Sequence, residues 1–163
     1  MLKWKVQNIS ASKVILRKIN LQLQKQKISA ENQINKMKKV YYLSTCTTCK
    51  RIMDDLGELI ADFEQQDIKT TPMSLDQIDE MSKRSGSYES LFSRKAMKYR
   101  SMGLGEKNLT EEEYRSLIHE EYTFLKRPVF LLDQEIFVGN SKKVIEKLQE
   151  KLSKWVGKCI IIW

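Results

Sequence analysis

Histidine occurs once in this chain, at His119, and cysteine three times, at Cys46, Cys49 and Cys159. A closed zinc site takes a full tetrahedral set of nitrogen and sulfur ligands. Apart from one C-x-x-C pair these four residues lie far apart, so zinc is the weaker reading of that pair. Three cysteines build no disulfide scaffold, and they fit a reducing cytoplasm. No apolar run approaches the about 18 residues of a membrane span. The two prolines, Pro72 and Pro128, each mark the edge of an extended run. What is present is globular: 41% hydrophobic and 31% charged residues in 163, enough for one domain with a proper core and some additional sequence.

The net charge of +8 is concentrated at the two ends of the chain. Residues 1–36 hold eight Lys/Arg against one acid, Glu31, and residues 153–163 add Lys154 and Lys158. Residues 37–152 carry 19 bases and 20 acids. A body this close to neutral excludes a global basic patch for direct nucleic-acid binding. Residues 1–36 are rich in Lys, Gln, Asn, Ile and Ser and lack the apolar core and cleavage site of a secretory signal. An amphipathic arm or transit-like peptide is one reading of them. The preferred one is an extension upstream of the true start, Met37.

From Met37 the chain reads as a strand ending in Tyr41-Tyr42-Leu43, then Ser44-Thr45-Cys46-Thr47-Thr48-Cys49-Lys50-Arg51. A helical pattern with Ile52, Leu56, Leu59 and Ile60 follows, predicted to run to about Gln66. A second extended run, Asp67 to Pro72, comes next. Ser74-Leu75-Asp76-Gln77 and Thr110-Glu111-Glu112-Glu113 are capping boxes that open helices. Short helical pieces are predicted over 88–92 and 94–102, closed by Gly103 and Gly105. Val129–Leu132 and Glu135–Val138 read as a hairpin across Asp133-Gln134, and Asn140 or Ser141 caps a last helix. The sum is an α/β, thioredoxin-like β-α-β-(helical insertion)-β-β-α order with a mixed four-stranded sheet. The domain spans 37–152, the insertion about 73–124, and 153–163 form a tail. This architecture needs no partner to complete its core, which implies a monomer without a membrane anchor. Cys159 reads as a free thiol, and His119 as a solvent-facing helix residue.

A strand feeding a helix through the 44–46 turn puts Cys46 at the helix N-terminus. Unpaired N–H groups and the positive end of the helix dipole favour an anion there, and Lys50 and Arg51 add positive charge. Both effects lower a thiol pKa, so Cys46 is the expected thiolate. Cys49, one turn later on the same face, can attack an adduct formed at Cys46. Two unrelated core cysteines are the bland alternative. In such a fold the residue before the third strand faces the reactive thiol. Here that is Lys126-Arg127-Pro128, where a cis bond at Pro128 would turn Arg127 toward the sulfur. A surface arginine beside a strand-starting proline is the alternative. Arg94, in Ser93-Arg94-Lys95, is a further candidate whose plain alternative is a solvated charge.

Residues 37 to about 152 resemble the arsenate reductase family, often called ArsC, which also contains the redox regulator Spx. The resemblance is carried by Ser44-Thr45-Cys46-Thr47-Thr48-Cys49-Lys50, Gly86, Ser93-Arg94-Lys95, Tyr99, Gly103-Leu104, Leu109-Thr110 and Leu125-Lys126-Arg127-Pro128-Val129. It implies Cys46 as nucleophile, with Arg94, Arg127 and Pro128 forming the pocket for a small oxyanion such as arsenate. It further implies no tightly bound cofactor, and glutathione with glutaredoxin, or thioredoxin, as reductant. Two features depart from the reductases. A third arginine expected after the last strand is replaced by Val138-Gly139-Asn140, with Lys142 and Lys143 nearby. Cys49 is an additional thiol, similar to the switch of Spx, which implies RNA polymerase as the partner in a regulator reading. A general thiol-disulfide reductase is a third reading.

The composition break at Met37 generates a direct prediction. The intact mass of the native protein is expected to begin at Met37, and a mass that includes Met1 overturns that start.

Overall fold

The computed structural model describes residues 37–160 and, before them, Gln22 alone, with side chains described in the domain as far as Lys154. The reading of residues 1–36 as an extension lies outside the described residues, and that of Cys159 as a free thiol falls on a side chain outside those described.

Four strands form one sheet in the order β2-β1-β3-β4: β1 Lys38–Tyr42, β2 Glu64–Asp67, β3 Val129–Leu132 and β4 Glu135–Val138. β1 runs parallel to β2 and antiparallel to β3, and β3 runs antiparallel to β4. The helices are α1 Thr47–Leu56, α2 Leu75–Ser85, α3 Tyr88–Leu91, α4 Met97–Ser101, α5 Glu111–Glu120 and α6 Lys142–Ile160. The expected mixed sheet and element order are present. Helices α2 to α5 form the insertion between β2 and β3.

The pleat divides the core. Val40, Phe130, Leu132 and Phe137 share one face with Ile52 and Leu56 of α1, Ile60, Phe63, and Leu148 and Leu152 of α6. Alternation sends Tyr41, Val129 and Leu131 to the opposite face, where α2 contacts the sheet with Ile78 and Met81 fully buried. The caps follow the sequence. Ser74 and Thr110 each close a full capping box, and α2 ends at Gly86 with φ +93°, the left-handed conformation that glycine adopts at least cost. The isolated bridge Phe92–Leu125 ties the insertion back to the approach to β3, with Phe92 stacked on Phe124 at 4.9 Å.

Four boundaries differ from the sequence reading, one of them the piece expected over 94–102, which is helical only over Met97–Ser101 and leaves Arg94 in the turn before it. The first helix stops at Gly57, φ +44°, rather than near Gln66, and one 3-10 turn, Gly57–Ile60, follows. The second strand is Glu64–Asp67, earlier than the expected 67–72 run, which instead forms a turn. Glu64-Gln65-Gln66-Asp67 has no apolar alternation. Its extended state comes from pairing with β1, and the pattern alone cannot reveal that. Residues 153–160 continue α6 rather than forming a separate tail.

The insertion is clasped by Asp79. Arg115 donates from Nε to Oδ1 at 2.5 Å and from Nη2 to Oδ2 at 2.8 Å, and the Tyr88 hydroxyl donates to Oδ1 at 2.8 Å. The Arg115 hydrogen bonds hold the Asp79 carboxyl down at about 2. A depressed carboxyl stabilises fully above its unfolded value of about 3.9, and the contribution is lost as pH falls through the folded value. Asp79→Asn is therefore expected to lower the urea midpoint at pH 7. The gap from wild type should close as pH falls toward 2, and a gap that persists there overturns the assignment.

Candidate functional site

Cys46 is the N-cap of α1, with extended backbone (φ −93°, ψ 108°). The Cys46 N–H donates to the Leu43 carbonyl at 2.9 Å, which closes the 43–46 turn. The Lys50 N–H donates to the Cys46 carbonyl at 3.0 Å, the first bond of the helix. Helix N-termini carry unpaired donors, and Cys46 stands at this one. Partial burial pushes the Cys46 thiol up, but that push is outweighed. The nearby Cys49 N–H and thiol, the Thr48 N–H and the Arg127 charge bring it below its ordinary value.

Cys49 faces the same turn from inside. It is fully buried on the apolar face of α1 with Ile52 and Leu56. Burial pushes its thiol up to about 11; a hydrogen bond with the Leu43 backbone opposes this, and the neighbouring Cys46 reinforces it. Both cysteines are free thiols. One turn of helix therefore holds a half-buried, anion-prone sulfur and a buried, protonated one.

Arg127 precedes a cis peptide bond to Pro128, the geometry the sequence suggested. Its Nη1 is buried with no hydrogen-bond partner among the described residues, and its charge acts on both thiols. A buried guanidinium nitrogen without an acceptor is costly unless an anion fills the place. Cys46, Cys49, Arg127 and Pro128 are thus brought together at one end of the sheet.

Arg94 is held elsewhere by its own partners. Its Nη2 donates to Glu89 Oε1 at 2.6 Å and to the Tyr114 hydroxyl at 3.3 Å, and its side chain is 59% exposed. Lys142, near the position of the missing third arginine, is 91% exposed, with Glu146 at 3.8 Å. Sequence reasoning did not single out Glu89 or Tyr114, and no local pattern pointed to them. It also passed over Asp67, which accepts from the Lys69 N–H at 3.1 Å and from the Ser44 N–H at 3.4 Å. An Asp accepting from the second residue beyond it is a turn signal legible in sequence.

Among the described residues no helix is long and apolar enough to cross a membrane, and no cluster of His, Cys, Asp or Glu is arranged to hold a metal ion.

Residues 41–148 match the model of the ArsC family. The global transcriptional regulator Spx of Lactiplantibacillus plantarum is 22% identical over 109 residues, covering 66% of this chain and 83% of that protein. A solved structure described as a possible arsenate reductase, from Streptococcus mutans, superposes with a TM-score of 0.58 at 27% identity, covering 70% of this chain and 98% of its own. The arsenate reductase from Vibrio cholerae superposes at 0.57 with 14% identity over 70% of this chain and 98% of its own, a likeness of fold.

The electrostatics of the turn can be read by alkylation. The Cys46 midpoint is expected below the free-thiol value of about 8.5, and Arg127→Ala is expected to raise it and slow alkylation several-fold at pH 7. An unchanged midpoint in that variant removes Arg127 from the site.

Proposed function

The chain belongs to the ArsC family, and from that premise we propose that it is a thiol-dependent oxidoreductase whose Cys46 attacks an arsenate-like oxyanion. The observation that carries this reading is the place of Cys46 at the N-cap of α1, with the Arg127 charge acting on its thiol and the Arg127 Nη1 buried without a hydrogen-bond partner among the described residues. A tetrahedral oxyanion matches that set of donors.

The chemistry balances with two thiols. The Cys46 thiolate forms a bond to As(V) and displaces hydroxide, which leaves as water once protonated. A second thiol then loses its proton and attacks the Cys46 sulfur. The electron pair of the S–As bond stays on arsenic, which departs as As(III), and the two sulfurs end as a disulfide. Cys49 is suited to be that second thiol because it lies one turn on in α1, near enough for each thiol to shift the other. When Cys46 enters the adduct, its thiolate no longer holds the Cys49 proton in place. In this reading the disulfide is reset by glutathione with glutaredoxin, or by thioredoxin, and no tightly bound cofactor takes part. Pro128 sets the direction of Arg127, and Arg94 joins the oxyanion by exchanging its contact with Glu89.

A second reading has a specific observation in its favour. Val138-Gly139-Asn140 supplies no cation after the last strand, while the Cys46/Cys49 pair is complete and the chain has Spx as a relative. In that reading the pair is a redox switch governing contact with RNA polymerase, and arsenate is not a substrate.

Full-length protein supplied with arsenate and NADPH, coupled through glutaredoxin and glutathione reductase or through thioredoxin and its reductase, separates the two. Turnover that Cys46→Ser abolishes and Arg127→Ala cuts by about 10²-fold is the expected result. No turnover in either system, with ready formation of a Cys46–Cys49 disulfide and redox-dependent capture of RNA polymerase, overturns it in favour of the switch.

A further inference from the structure

Between β1 and α1 the chain crosses the sheet end on Ser44 and Thr45, both exposed. Nothing buried fixes these two residues, yet the Cys46 sulfur depends on them for its place. N–H groups stabilise a thiolate only at close range and good alignment, and such interactions weaken steeply as the angle closes. The turn needs an anchor.

Asp67, the last residue of β2, supplies one. Its own position is fixed several times over. Tyr42 pairs with it in the parallel ladder, and the next residue's N–H, from Ile68, donates to the Tyr42 carbonyl at 3.0 Å. The Asp67 carbonyl accepts from the Thr71 N–H at 2.9 Å and from the Thr70 hydroxyl at 3.2 Å, and Ile68 is buried at 1% exposure. From this rigid base the carboxylate reaches across the parallel pair. Oδ1 accepts from Lys69 N–H at 3.1 Å and Ser44 N–H at 3.4 Å. The Ser44 hydroxyl beside it, these two N–H bonds and the nearby Lys69 charge hold the carboxyl below its ordinary range, so it is ionised at neutral pH. Among the described residues, Asp67 is the hydrogen-bond acceptor for the 43–46 turn that lies outside the turn's own strand and helix.

We propose that Asp67 is a positioning residue for the reactive thiol, its side-chain oxygen pinning the Ser44 end of the turn so that the Cys46 sulfur stays at the N-terminus of α1. This deepens the reading of Cys46 as the reacting thiol and rests on it. Asp67 does not touch the substrate. Its negative charge works against a thiolate nearby, whereas the acceptor geometry works for one. The two effects therefore have opposite signs and can be separated by substitution.

The experiment uses the full chain with Asp67→Ala and Asp67→Asn, reading Cys46 alkylation by iodoacetamide against pH, with the modified cysteine identified by mass. Asp67→Ala loses the acceptor and the charge, and is expected to make Cys46 alkylation about tenfold slower at pH 7 with its midpoint raised. Asp67→Asn keeps an oxygen for the Ser44 N–H and loses the charge, so its midpoint is expected at or below that of wild type. Unchanged profiles in both variants overturn the proposal. So does a fall in both, which would make Asp67 a charge alone, and so does an equal rise in both, since a neutral acceptor should suffice.

A measurement on the wild-type chain needs no variant. The Ser44 amide resonance is expected to titrate with a midpoint below the ordinary carboxylate range, and an amide that ignores Asp67 sinks the idea. Alkylation requires no arsenate. Absence of arsenate turnover would therefore discard the substrate while leaving the role of Asp67 measurable.

Discussion

The antiparallel register of β1 against β3 is the constraint on which the rest depends. Tyr41 sits opposite Val129, so the chain leaving β1 and the chain entering β3 lie at the same end of the sheet. Cys46 follows the first and Arg127 precedes the second, and no other pairing would set a thiol beside a guanidinium from residues about eighty apart. Register is enforced from both faces, because Val40 and Phe130 belong to one core while Tyr41 and Val129 are buried on the other. A slip by one residue would send each set to the opposite face and mismatch both cores at once. The site is thus an outcome of core packing, and its precision is inherited from the least exposed residues in the molecule.

Within that frame a single helical turn differentiates two chemically identical groups. Cys46 stands at the mouth of the helix, where backbone donors overcome partial burial. Cys49 stands three residues on, where burial dominates and the Cys46 charge adds to it. The pair is poised because the two pKa values move apart. An attacking thiolate and a protonated reserve thiol cannot be made by spacing alone; they require that α1 bury its second cysteine and leave its first at the rim. The apolar stripe of Ile52 and Leu56 does this, so the same residues that hold the helix on the sheet also assign the sulfurs their roles.

What was legible in the sequence followed local chemistry. Capping boxes at Ser74 and Thr110, glycine at Gly86 and the strand-opening Pro128 each act through neighbours within a few residues, and each was read correctly. The hairpin strands were legible because Val129–Leu132 is apolar throughout. β2 was not, since Glu64-Gln65-Gln66-Asp67 is polar and becomes a strand only because β1 offers it a ladder. The early end of α1 was hidden for a related reason. Leu59 and Ile60 keep the helical period while Gly57 changes the backbone's direction. In the site, Cys46, Cys49 and Arg127 could be placed by topology once the fold was assumed. The partners of Arg94 and the reach of Asp67 are contacts between distant segments, which no spacing rule encodes.

The same physics explains why enzyme and switch grow from one scaffold. A disulfide switch needs only a stabilised thiolate and a second thiol within reach, and both are supplied by α1 and its turn. Reducing an oxyanion demands more positive charge, because arsenate brings its own negative charge to a sulfur that is already anionic. Arg127 is committed by burial, with a nitrogen awaiting an acceptor. Arg94 is not committed: it stands in solvent and is satisfied by Glu89 and Tyr114. An exposed ion pair is worth little, so exchanging Glu89 for an oxyanion costs Arg94 little. The two arginines thus differ in burial and in how their donors are satisfied, and the oxyanion reading asks more of Arg94 than the switch reading does.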